Sequence, residues 1–206
     1  MPVLLIRHGE SEANQENIIV SYKGNPGLTE AGTRQAWAAA KAVASLDIQA
    51  VYASPLKRTQ QTAQAFLRPG MTVQVDERLH EINLGRWDGM KIDDIEMEDH
   101  DRYHQWKLDP EMGAPEGGEA LSVVAARVRG FLADVHHRHG EGWVIAATHS
   151  DCMKAALLDV LGGHWTAASH MHLSNTAGLL LDWRDNTWQW MVWPLMPPHQ
   201  LSTADK

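Results

Sequence analysis

The chain has 206 residues, 44% of them hydrophobic, which is enough for one globular core, and its formal net charge of −8 is not gathered into any block of like charge. That balance argues against nucleic acid and acidic membrane surfaces as partners. Cys152, the one cysteine, excludes an intrachain disulfide and a thiolate metal cluster; with neither a leader-like start nor a bilayer-length apolar run, the expectation is a cytoplasmic protein.

Val3-Leu4-Leu5-Ile6 runs into Arg7 and reads as a strand over 3–7. Thr29 is a helix cap, and Ala36, Trp37, Ala40, Val43 and Ala44 form the apolar stripe of a helix reaching about Leu46. A strand at 50–54 meets Ser54-Pro55, an N-cap and first-turn proline that predict a helix to about Leu67 with Lys57 and Arg58 in its first turn. A short strand follows at 72–75. Residues 91–118 are acidic and irregular and predict a helical insertion covering the site. Val123, Val124, Val128, Phe131, Leu132 and Val135 space a helix over 120–138. A buried strand at 142–148 ends at His149, and a helix over 151–161 stops at Gly162-Gly163. Strands at 177–184 and 187–193 meet in a turn at Asp185-Asn186, with Trp188, Trp190 and Val192 alternating at period two; the tryptophans are read mostly as core. This order predicts an α/β fold, a three-layer α/β/α sandwich with a mostly parallel central sheet and a late edge hairpin, as one domain over 1–196 with a loosely ordered tail at 197–206.

Three strand ends carry the charged chemistry: Arg7-His8-Gly9-Glu10, Arg58 and His149. Ligands of open α/β sheets collect outside the carboxyl ends of strands, so these positions read as one site in which arginine grips an anion and histidine reacts beside it. Gly9 suits either a tight turn or a close backbone approach to phosphate.

The chain resembles the histidine phosphatase superfamily, the phosphoglycerate mutase-like proteins. The resemblance rests on Arg7-His8-Gly9-Glu10-Ser11-Glu12-Ala13-Asn14, Leu28-Thr29-Glu30-Ala31-Gly32, Ser54-Pro55-Leu56-Lys57-Arg58-Thr59, Glu81 through Gly89, Gly117-Gly118-Glu119 and Thr148-His149, over roughly residues 3–183. It implies that His8 is the nucleophile, that Arg7, Arg58 and His149 surround the phosphoryl oxygens, and that Glu81 is the proton donor. The chemistry agrees. A phosphoryl group in transfer spreads charge over three oxygens and needs several cationic donors at once. A neutral imidazole is a competent nucleophile, and a shielded carboxyl can hold a proton at working pH.

The expected activity is metal-independent hydrolysis of a small-molecule phosphate ester, with no cofactor. A cofactor-dependent phosphoglycerate mutase is the alternative, ranked lower because 91–118 offers only Lys91, Arg102 and Lys107 for a substrate carboxylate. A non-catalytic, partner-binding member is the third reading. Asn14 is favoured as a further phosphate ligand, while Asn175 and Tyr22 are weak substrate-binding candidates; Tyr103 and Trp106 serve a ring or the core equally well. Glu10, Glu77 and Asp88 compete with Glu81. Many relatives carry glycine where this chain has Ser150, which bears on substrate access. The His136–His139 run reads as a solvated helix end, Cys152 as small apolar packing, and the late hairpin's edge suggests a homodimer.

Overall fold

The computed structural model describes residues 1–191. Its elements are β1 (Pro2–Arg7), α1 (Glu12–Gln15), α2 (Glu30–Ala42), β2 (Ile48–Ala53), α3 (Lys57–Gln64), β3 (Val73–Val75), α4 (Ile92–Glu98), α5 (His100–Leu108), α6 (Leu121–His139), β4 (Trp143–Thr148), α7 (Ser150–Leu161), β5 (Gly178–Arg184) and β6 (Thr187–Met191). The six strands form one sheet in the order β3-β2-β4-β1-β5-β6. The first four in that order run parallel, whereas β5 is antiparallel to β1 and β6 to β5.

Alternation along the strands divides the core into two layers. Val3, Leu5, Tyr52, Val144 and Ala146 face Val124, Val128 and Phe131 of α6 and Met153 of α7. Leu4, Ile6, Val51, Ala53, Ile145 and Ala147 face Ala36 and Ala40 of α2 and Ala63 beside Phe66 at the end of α3. The central strands are thus buried on both faces, which is why they read as near-continuous apolar runs. The result is the three-layer sandwich with its mostly parallel sheet and late hairpin. Asp185 and Asn186 both take positive φ (50° and 62°), as a two-residue hairpin turn matching strand twist requires.

Several boundaries differ from expectation. The first turn of α3 is capped by Leu56 without a side-chain bond, because Ser54 Oγ instead accepts from Leu56 N at 3.3 Å and faces His149. Helix α2 ends at Ala42, and tight turns carry the chain to Leu46. Trp37 (60% exposed) and Val123 (51%) lie off their helices' buried stripes, and Trp190 (46%) faces outward on the last strand of the sheet. Among the described residues Trp87 is the tryptophan wholly inside, its Nε1 donating to Asp99 Oδ2 at 3.0 Å. The acidic 91–118 segment holds α4 and α5, broken at Asp99, with Ile95 and Tyr103 buried against the α6 side of the core. The expected strand end at Trp193 and the tail at 197–206 lie outside the described residues. Among the described residues no helix is long and apolar enough to cross a membrane.

Candidate active site

Three adjacent parallel strands, β2, β4 and β1, deliver their carboxyl ends to one place. Arg7 and His8 leave β1, Arg58 sits in the first turn of α3 after β2, and His149 caps α7 directly after β4. Arg7, His8, Arg58 and Glu81 line a cavity of about 290 Å³, together with Asn14, Ser150 and Asp151. Its remaining wall is largely apolar: Ile18, Ile19, Val20, Ile82, Leu84, Ile92, Tyr103 and Trp106.

His8 is 3% exposed, and its two ring nitrogens have distinct tasks. Nδ1 lies 2.7 Å from the Gly9 carbonyl oxygen, which can only accept, so Nδ1 carries the proton. Nε2 accepts from Arg58 Nε at 3.2 Å, so its lone pair points toward the guanidinium. Burial, reinforced by Arg58, holds the His8 imidazole well below its ordinary pKa and therefore neutral.

His149 is fully buried and is kept neutral by the same pair of causes. Its Nδ1 accepts from Arg58 Nη2 at 3.2 Å, and its Nε2 donates to Ser54 Oγ at 2.9 Å. Arg58 Nη2 also donates to the Val20 carbonyl at 2.9 Å. One guanidinium thus orients both imidazoles, whose centroids lie 5.2 Å apart. Arg7 is anchored through Nη1 to the Leu173 carbonyl. Two guanidinium nitrogens, Arg7 Nε and Arg58 Nη1, are buried with no hydrogen-bond partner. Buried donors left unpaired are costly unless an acceptor completes them, which suits an anion at this place.

Glu81 Oε1 accepts from Ile82 N at 2.9 Å, and Oε2 lies 3.8 Å from His149 Nδ1. Burial, with the Asp151 carboxylate adding to it, pushes its pKa up to about 7. Its loop is braced from behind: Arg127 donates to the carbonyls of Arg78 (2.7 Å) and Glu81 (3.3 Å) while paired to Glu119 at 3.1 Å. None of the rival carboxylates, Glu10, Glu77 and Asp88, lines the cavity, and two are committed elsewhere. Asp88 accepts from the backbone N–H groups of Ser21, Tyr22 and Lys23, each at 2.7 Å, and Glu10 accepts from Thr29 Oγ1 at 2.7 Å.

The weaker candidates separate. Asn14 lines the cavity, with Oδ1 accepting from Ser11 N and Asn175 Nδ2. Asn175 is not among the lining residues; it donates to the His8 carbonyl at 3.1 Å and so ties the loop after His8 to the strand that follows. Tyr22 is also outside the lining and 53% exposed, its ring stacked on His80 at 3.8 Å. Gly9 is explained by a different close approach from the one expected: a Cβ there would lie 2.4 Å from the Gly32 carbonyl oxygen of α2. Cys152 is wholly buried, donates to the His80 carbonyl at 2.8 Å, and has its thiol pushed up to about 12 by burial, as a packed inert residue should. Ser54, Asp151 and the Arg127–Glu119 brace were not foreseen. Ser54 and Glu119 both stand in the quoted motifs, where Ser54 reads as a helix cap; Asp151 and Arg127 reach the Glu81 loop from distant sequence and leave no local signal.

The family model of the histidine phosphatase superfamily (branch 1) matches residues 3–195. The phosphoserine phosphatase 1 of Hydrogenobacter thermophilus is 33% identical over 78% of this chain and 76% of its own length. A 2,3-bisphosphoglycerate-dependent phosphoglycerate mutase of Brucella melitensis is 31% identical over 78% of this chain and 81% of its own. The mycobacterial glucosyl-3-phosphoglycerate phosphatase, solved in complex with VO3, superposes with a TM-score of 0.85 at 27% identity, covering 93% of this chain and 98% of that one. The strand-end histidines and arginines, the sheet that carries them and these likenesses agree: the chain belongs to branch 1 of the histidine phosphatase superfamily.

Proposed function

We propose that this protein hydrolyses small phosphate monoesters through a phosphohistidine at His8. The observation that carries the reading is the pairing of a proton-free His8 Nε2 with two buried guanidinium nitrogens that lack partners. Arg7 and Arg58 hold the phosphoryl oxygens, and neutral His149, which is not itself a lining residue, holds the Arg58 guanidinium in place by accepting from its Nη2. Asn14, whose Oδ1 is already occupied, offers its amide N–H. As Nε2 bonds to phosphorus, the Arg58 N–H that it accepted turns to a phosphoryl oxygen. The ester P–O bond breaks, and the departing alkoxide takes the proton of Glu81. Glu81, now a carboxylate, takes a proton from water; the hydroxide oxygen bonds to phosphorus, the N–P bond breaks, and inorganic phosphate leaves with His8 neutral again.

The phosphoglycerate mutase reading has the Brucella relative in its favour. It also needs cations for a substrate carboxylate, and among the described residues the cavity's lining cations are Arg7 and Arg58. Lys107 pairs with Glu96 at 2.8 Å and Arg102 donates to the Ala114 carbonyl, while Lys91 is exposed and is not a lining residue. Hydrolysis therefore ranks first. Phosphoserine and glucosyl-3-phosphoglycerate, named for the relatives, head the substrate panel, with 3-phosphoglycerate plus 2,3-bisphosphoglycerate as the mutase arm. Strong cofactor-dependent isomerisation would reverse the ranking.

The decisive experiment is His8→Ala. Turnover should fall by at least about 10³-fold, and the acid-labile phosphate found on the wild-type chain during turnover should vanish. A chelator should leave the wild-type rate unchanged. A His8→Ala protein that retains wild-type hydrolysis ends this reading. We take residues 91–118 as a lid on the cavity, since Ile92, Tyr103 and Trp106 form part of its wall, and the cytoplasm as the site of action, consistent with a buried, unpaired Cys152. A homodimer through the edge strand β6 is the oligomeric expectation, and a monomeric mass by light scattering would remove it.

A further inference from the structure

We propose that Glu96, His100 and His104, on the helical segment over the cavity, bind one first-row divalent transition ion of the zinc class, at a site separate from the phosphatase centre. His100 and His104 stand one turn apart on α5, and Glu96 approaches from α4 across the break at Asp99. A tetrahedral ion bound at about 2.0–2.1 Å sets neighbouring ligand atoms about 3.3 Å apart. Glu96 Oε2 lies 3.4 Å from His100 Nδ1 and 3.2 Å from His104 Nε2, and the three donor atoms all fall within 4.8 Å of one another. The spacing already matches two edges of such a coordination shell.

The other carboxylate oxygen is held in place. Lys107 Nζ bonds Glu96 Oε1 at 2.8 Å, leaving Oε2 to the imidazoles, as an outer hydrogen bond does for a metal-bound carboxylate. Two imidazoles with one carboxylate are a borderline donor set, suited to zinc or nickel and poorly suited to magnesium. With about half of each imidazole side chain open to solvent (62% and 48%), an ion can reach the site and keep a coordination position for water. None of the three residues lines the substrate cavity. Lys107 nevertheless lies 4.3 Å over the Tyr103 ring, which does, so the ion would brace α4 against α5 behind one wall of that cavity.

Zinc titrated calorimetrically into chelator-stripped full-length protein tests this without relying on phosphatase activity. The wild type should bind one more zinc per chain than H100A/H104A, and Glu96→Gln should bind at least about tenfold more weakly. H136A/H137A, which alters the other histidine cluster, should bind as the wild type does. Magnesium in excess should not compete. Equal zinc stoichiometry in wild type and H100A/H104A overturns the proposal, as does an unchanged affinity in Glu96→Gln. Circular dichroism melts of the stripped proteins establish that the variants fold.

Discussion

Burial acts in opposite directions, at the residue scale, on the two groups proposed to react. It holds His8 neutral well below its ordinary titration range and keeps Glu81 protonated up to about 7. The rate should therefore show no rise attributable to His8 near its usual pKa, and kcat/KM should fall above about pH 7, by up to about tenfold per unit, as Glu81 loses the proton it must donate. Glu81→Gln should abolish that descending limb along with most of the activity; a limb that survives unmoved in the variant would assign it to another group. Folding stability is linked to the same displacement. Between the ordinary value of 4.5 and about 7 the folded chain holds a proton that the unfolded chain has shed, so this carboxyl makes stability fall as pH rises through that window. His8 and His149 were legible in sequence because each follows a strand directly, and Arg58 because it lies in the first turn of the helix after one. Glu81 needed the family resemblance, since nothing local separates it from Glu77, and its bracing by Arg127 is a contact between distant segments.

The elements, for their part, place the reacting loop by backbone contact more than by side chains. Helix α2 begins against the loop after β1 so closely that a Cβ on Gly32 would lie 1.9 Å from the Glu10 carbonyl oxygen. Gly32→Ala must push the helix away from residues 8–10, at a cost of about 1–3 kcal/mol. A melting temperature lowered by about 2–12 °C, with kcat/KM down by about tenfold or more, is the expected result; unchanged values of both would show that the contact is slack. Thr29 as a cap and Gly162 as a terminator were readable because each is a local rule. The start of α3 was misplaced because Ser54 has two possible partners. Its hydroxyl serves His149 Nε2, and only tertiary structure reveals that choice. Trp37 reads as part of a buried stripe that Gly32, Ala36, Ala40 and Val43 fill without it.

Across the whole molecule, the sheet order brings β2, β4 and β1 side by side, and their carboxyl ends open on one cavity, the anion site of the proposed reaction. An oxyanion bound there joins three strands and both helical layers, so its binding energy becomes global stability. Vanadate at about 100 times its dissociation constant should add about 2.7 kcal/mol and raise the melting temperature by about 5–11 °C. Arg58→Ala should lose most of that rise, and an equal rise in the variant would place the anion elsewhere. The sandwich could be anticipated because apolar strands and amphipathic helices alternate along the chain. The neighbours of each strand could not, since β1 stands first in sequence yet lies between β4 and β5. That arrangement has a consequence for synthesis. The loop bearing His8 is secured by residues that leave the ribosome much later: Leu173 receives Arg7, Asn175 grips the His8 carbonyl, and Thr176 N–H donates to the Arg7 carbonyl. A nascent chain halted short of these residues would carry every group assigned to bond-making and yet lack the contacts that hold the His8 loop, so it should be inactive.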